Sequence, residues 1–200
     1  MKQTILCFFA ALLFAFSSNA QTFEITTKGV GEIEVGMNMD DVPASVKGLY
    51  DHIKIVTTPE SYNVRDDETI PAYDTYYFMQ GMEKVFHTVP NEDGVISYIS
   101  VTSKRLSYKG VRPQMSCREV LATKAKLIAG GAYASCEFFC YFSFGDPNVN
   151  IWFECSLSQQ GVNKMFNSIA NDTGERVLKL NAADFMPDAK IKEIVIQTLQ

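Results

Sequence analysis

Ile33-Glu34-Val35-Gly36-Met37-Asn38-Met39-Asp40-Asp41-Val42 is matched, without gaps, by Val111-Arg112-Pro113-Gln114-Met115-Ser116-Cys117-Arg118-Glu119-Val120, 78 residues further along the chain. The methionine, the acidic residue and the final valine recur at the same offsets (Met37 and Met115, Asp41 and Glu119, Val42 and Val120). Each copy reads as an extended entry, a turn and then a helix. Asn38 and Ser116 stand where an N-cap side chain would accept the orphan amides of a first turn. Asp40, Asp41 and Glu119 put negative charge at the positive end of the helix dipole. Helices are therefore expected from about Met39 to Asp51 and from about Cys117 to Ala129, with Pro43 tolerated in the first turn.

The segments that follow also repeat. Lys84–Val89 and Val95–Ser103 flank Pro90-Asn91-Glu92-Asp93-Gly94, and Glu137–Phe144 and Val149–Leu157 flank Gly145-Asp146-Pro147-Asn148. Both pairs are rich in aromatic and β-branched residues around turn chemistry, which predicts two hairpins. Tyr73–Met79 and Ile191–Ile196 are candidates for one further strand in each half. A hairpin alone cannot hide its apolar face, so a helix is expected to cover it. The expected fold class is α+β: two tandem helix-plus-antiparallel-hairpin units, residues 21–105 and 106–200, sharing one sheet.

Ile33-x-x-Gly36-Met37-x-x-x-Asp41-Val42 followed by strands resembles the small envelope modules of the SmpA/OmlA (BamE) family. A tandem of such units looks like the β-lactamase inhibitory protein, in which two repeats form one continuous sheet. The second copy departs from the pattern, with Gln114 in place of the glycine, and no lipobox is present. The resemblance implies a protein-binding envelope module without an active site; no individual contact residue carries over.

The first twenty residues give an address. Lys2 precedes an apolar run from Ile5 to Phe16, and Ser17-Ser18-Asn19-Ala20 offers small residues before Gln21. This is the pattern of a secretory signal peptide over residues 1–20, with export to the periplasm or beyond as the expected destination. No later stretch approaches the ~20 apolar residues of a membrane helix, so no stable membrane insertion is expected. The chain carries 18 Lys and Arg against 23 Asp and Glu, and removing Lys2 with the leader leaves 17 against 23. Without a basic stripe, nucleic acid is a poor partner.

Four cysteines, Cys117, Cys136, Cys140 and Cys155, all lie in the second half, and Cys7 lies within the leader. In an exported chain, four cysteines suggest structural disulfides, with three possible pairings. On a strand, Cys136 and Cys140 share a face, and the turn at Gly145–Asn148 brings Cys140 opposite or diagonal to Cys155. The expected pairing is Cys117–Cys136 with Cys140–Cys155; the first would close a loop worth about 3 kcal/mol. A redox site is disfavoured, because the spacing is C-x-x-x-C among Phe138, Phe139 and Phe142 and not C-x-x-C at a helix start. Zinc would need paired short spacings or nearby histidines, so neither a metal nor a cofactor is expected.

Catalytic motifs fail in turn. G-x-S-x-G, H-E-x-x-H and the P-loop do not occur, Gly29-Val30-Gly31 lacks the third glycine of a nucleotide fingerprint, and Asp66-Asp67-Glu68 lacks the calcium-loop glycine. His52 is expected at the end of the first helix, and His87 in a strand as a core or sheet-face residue. Strand alternation places Phe138, Cys140, Phe142, Phe144, Val149, Ile151, Phe153 and Cys155 on one face of the second hairpin. Phe139, Tyr141, Trp152 and Glu154 fall on the other. In the first hairpin Val95, Ile99 and Val101 should look inward, and Ile96 and Tyr98 outward. Tyr98, Phe139, Tyr141 and Trp152 are thus the candidate binding residues, since Tyr and Trp are over-represented in binding hot spots. Burial of the same face under the Tyr108 connector, the tail after Asn171 or a second subunit is the competing structural reading.

The leading expectation is a non-catalytic module that binds another envelope or extracellular protein, or a peptide. The alternatives are an envelope protein holding a small apolar ligand, or a hydrolase without a recognisable motif. A closed cavity would favour the apolar-ligand alternative, and a cleft converging His87 or His52 with carboxylates the hydrolase.

Overall fold

The computed structural model describes residues 23–63, 67–132, 137–154, 156–169 and 174–198. Its strands are β1 (Gly29–Val30), β2 (Ile33–Glu34), β3 (His52–Thr58), β4 (Ser61–Asn63), β5 (Glu68–Ile70), β6 (Tyr73–Gln80), β7 (Glu83–Thr88), β8 (Tyr98–Val101), β9 (Lys126–Ala132), β10 (Glu137–Ser143), β11 (Val149–Phe153), β12 (Arg176–Leu178) and β13 (Ile191–Gln197). Two α-helices are described, α1 (Cys117–Leu121) and α2 (Gln159–Ile169). Nine strands form one antiparallel sheet in the order β12-β9-β10-β11-β13-β8-β7-β6-β3. The protein is mostly β, which overturns the α+β expectation of two tandem helix units.

Both expected helices shorten to a single turn for local reasons. Asn38 does cap, accepting from Asp40 N, but only the 3-10 turn Met39–Asp41 follows. Pro43 excludes helical geometry from the residue before it, and Val42 is extended, with ψ 124°. Val46 then bridges Tyr50 across Gly48, whose φ of +84° suits glycine alone among common residues. Ser116 closes a full capping box with Glu119, yet α1 ends at Leu121. Thr123 Oγ1 donates to Val120 O and accepts from Ala125 N, turning the chain away. Lys126–Ala132 becomes β9 because β10 and β12 pair with its two edges. His52 is correspondingly not a helix end but the first residue of β3, paired opposite Met79.

The hairpins form as their alternation and turns predict, with Phe86 opposite Val101 and Tyr141 opposite Trp152. The candidate strands are present as β6 and β13. Four strands from each half fall in the same order, β3-β6-β7-β8 and β9-β10-β11-β13, and β8 joins β13.

The core lies on one face of this sheet. From edge to edge that face carries Leu178, Leu127, Phe142, Ile151, Ile194, Val101, Phe86, Phe78 and Ile53 in cross-strand register. Phe78 stacks on Phe86 at 4.1 Å, and Tyr50 meets Phe78 edge-on at 4.9 Å. The covering layer is Ile25, Val30, Ile33 and Leu49 before β3, Leu106, Tyr108 and Val111 in the connector, Val120 of α1, and Met165 and Ile169 of α2. Truncating a ring such as Phe86 to alanine should cost about 3–5 kcal/mol. Ile96, expected outward, is fully buried in this core. It sits before β8, where Ile96 N donates to Met37 O and its carbonyl accepts from Gly36, so sheet alternation does not govern it.

Candidate functional site

Because the covering layer packs against one face, the other is the face to examine for function. Its side chains form a row through all nine strands: Val177, Ile128, Tyr141, Trp152, Glu193 with Val195, Ser100, His87, Tyr77 and Lys54. Two aromatic groups stand in this row. Phe139, Tyr141 and Trp152 form one, with ring centroids 5.1–6.4 Å apart. Tyr77, His87 and Tyr98 form the other, His87 lying 5.4 Å from Tyr77 and 6.2 Å from Tyr98. β13 runs between them and contributes Glu193, opposite Trp152.

All four sequence-derived candidates therefore lie on one face, but not in one cluster. Phe139 is exposed, Tyr98 and Trp152 are partly buried, and Tyr141 retains only 8% of its surface. Of the two covers within the chain that the sequence suggested, the tail touches this face and the connector does not. Tyr108 is turned the other way, against Phe144 on the core side. The tail joins the sheet edge as β12, and Glu175 accepts the Tyr141 hydroxyl at 2.9 Å. His87 stands on the sheet face, one of its two expected placements, while Tyr77, Ser100 and Glu193 are additions the sequence reading did not single out. Their signal was the alternation of Tyr73, Thr75 and Tyr77 in β6 and of Glu193 and Val195 in β13.

A groove of about 510 Å³ opens on this face, lined by Tyr77, Lys84, His87, Tyr98, Ser100, Thr102, Lys192, Glu193 and Val195. Ser100 Oγ donates to Glu193, and Lys192 Nζ lies 3.6 Å from the same carboxylate. Lys84 Nζ sits 4.2 Å from the Tyr77 ring centre. Burial pulls the His87 imidazole below the ordinary histidine value, with Glu193 opposing, so the ring is neutral near pH 7. Burial raises the Tyr98 phenol, and burial with the Glu175 bond pushes Tyr141 up to about 12. Both hydroxyls stay protonated donors.

This groove does bring His87 near a carboxylate, the geometry that would favour a hydrolase. The hydroxyl of Ser100, however, is directed to Glu193. The carboxylate that accepts this proton can itself serve as the base, but among the described residues no hydrogen bond joins Ser100 to His87, so no serine–histidine–acid relay is assembled here. The second histidine, His52, opens the edge strand β3, which β6 separates from the His87 strand, and it pairs with Asp51. Among the described residues no cluster of His, Cys, Asp and Glu has the makings of a metal site. Also among them, no helix is long and apolar enough to cross a membrane. Cys117 and Cys140 are both buried on the core side, and Cys140 Sγ lies 3.0 Å from Met165 Sδ. Their expected partners, Cys136 and Cys155, lie outside the described residues.

No protein-family model matches the chain, and no curated protein matches it. Among solved structures it is similar to the uncharacterized protein yfeY from Escherichia coli, at 12% identity and a TM-score of 0.47, over 88% of this chain and 99% of that one.

Proposed function

We propose that this is an exported, non-catalytic binding module of the bacterial envelope that holds a protein or peptide partner on the open face of its sheet. The observation that carries the reading is the aromatic row itself. Tyr77, Tyr98, Trp152 and Phe139 project from the face opposite the core, while the helices and connector pack on the other. Tyrosine and tryptophan present large, stiff, amphipathic contact area and dominate binding hot spots. The leader-like N-terminus supports export.

Trp152 is the one tryptophan of the chain, so its emission reports on the face directly. A partner captured from an envelope extract should shift that emission when titrated back in purified form. Replacing Phe139, Trp152 and Tyr98 together by alanine should abolish capture while leaving the circular dichroism spectrum intact. Undiminished capture by the folded triple variant would place the partner elsewhere and end the proposal.

A further inference from the structure

We infer that the free edge of β3 pairs antiparallel with β3 of a second copy of this chain, centred on Ile55, extending the sheet across a two-fold axis. β3 is the last strand of the nine, with β6 on one side, and nothing among the described residues pairs with its other edge. Such an edge is a template for another strand, and natural proteins blunt it with proline, bulges or a very short length. The opposite edge, β12, follows that rule with three residues. β3 is less protected: Lys54 is its one blunting charge, and His52-Ile53-Lys54-Ile55-Val56-Thr57-Thr58 is seven residues long, proline-free and in unbroken register with β6. Ile55 and Val56 are 53% and 40% exposed on it.

Strand chemistry selects both the occupant and the register. Keeping the core faces of two copies on the same side requires pairing between residues of like parity, because side chains alternate along a strand. A centre at Lys54 would set two ammonium groups face to face, which is unfavourable. A centre at Val56 would draw Pro59, which has no N–H, into the ladder opposite Ile53. A centre at Ile55 uses all seven residues and pairs His52 with Thr58, Ile53 with Thr57, Lys54 with Val56, and Ile55 with itself. No like charges then meet, and the Lys54 stem can cover Val56. Ile53 and Tyr76, the neighbour opposite Ile55, already pack on the core, so an Ile55–Ile55 contact would continue that apolar layer. One strand pair buries less than a standard interface, so the dimer should be weak and concentration-dependent.

Sedimentation of the purified protein over a wide concentration range should show monomer passing to dimer. Ile55→Lys, which places two charges at the axis, should return it to monomer. Ile55→Cys should crosslink two copies through residue 55, mapped by peptide mass spectrometry, whereas Thr57→Cys should not crosslink to itself. If Ile55→Lys lost its fold by circular dichroism, the 55–55 crosslink would decide alone. A protein that stays monomeric throughout, a dimer indifferent to folded Ile55→Lys, or a dimer without the 55–55 crosslink would each overturn the inference.

Discussion

The ring of Phe139 lies across Gly130, its register partner on the adjacent strand, so closely that a Cβ at residue 130 would stand 2.6 Å from Phe139 Cζ. The glycine is thus part of the candidate site: its missing side chain is the shelf on which an exposed aromatic rests. Gly130→Val should push the ring off this shelf without moving the strand, because the clash is with the far end of a side chain. On the proposed reading, partner affinity should fall by about 1 kcal/mol, the scale of one lost aromatic pair. Titration followed by Trp152 emission measures it, since Phe139 and Trp152 are 6.4 Å apart.

Helix α2 is tied to the 3-10 turn Ala182–Asp184, which precedes β13, through Asp184. Its carboxylate accepts from Lys164 Nζ at 2.8 and 2.7 Å and from Asn181 N at 2.7 Å, and the residue is fully buried. A Cβ at Gly161 would stand 2.2 Å from the Asp184 carbonyl oxygen, a backbone atom that cannot swing aside. Gly161→Ala should cost about 1–3 kcal/mol from overpacking. Asp184→Asn should cost about 2 kcal/mol through the weakened ion pair and cap. The two changes touch one contact, so the double variant should lose less than their sum in denaturant melts.

Two groups contribute to the acid side of stability. Burial lowers the folded-state pKa of His87, so the unfolded chain takes up its proton first. Stability from this source is whole above the ordinary histidine range and is lost as pH falls through it. Burial alone would raise Asp184, but Lys164 and the Asn181 N–H outweigh it and hold the carboxyl low. That contribution is present above the ordinary aspartate range and fades as pH falls toward the folded value. Thermal melts from neutral to acid pH should show two declines. His87→Gln should remove the first and Asp184→Asn should shrink the second.

Cys117 is a buried thiol whose pKa burial pushes up to about 12. Native protein should therefore resist alkylation there, and denatured protein should label at Cys117 without reductant. Labelling only after reduction would instead reveal the Cys117–Cys136 bond that the cysteine spacing suggested.

The sequence alone determined what depends on neighbours a few residues apart. Turn chemistry at Pro90–Gly94 and Gly145–Asn148, with alternation on either side, specified the two hairpins and the shared face of Phe139, Tyr141 and Trp152. The caps at Asn38 and Ser116 were equally local, and both formed. Two elements carried unread signals: the β-branched run Ile53-Lys54-Ile55-Val56-Thr57-Thr58 of β3, and the apolar spacing of Val162, Met165 and Ile169 in α2.

Tertiary structure decided the rest, because a cap starts a helix but cannot pay for its length. Lys126–Ala132 gains more from hydrogen bonds to strands on both sides than from continuing α1, which only the assembled sheet supplies. The meeting of β8 with β13 is of the same kind: Ser100 and Glu193 lie far apart in the chain, and no local rule brings them together. The groove with His87, Ser100 and Glu193 exists only once that pairing joins the two halves.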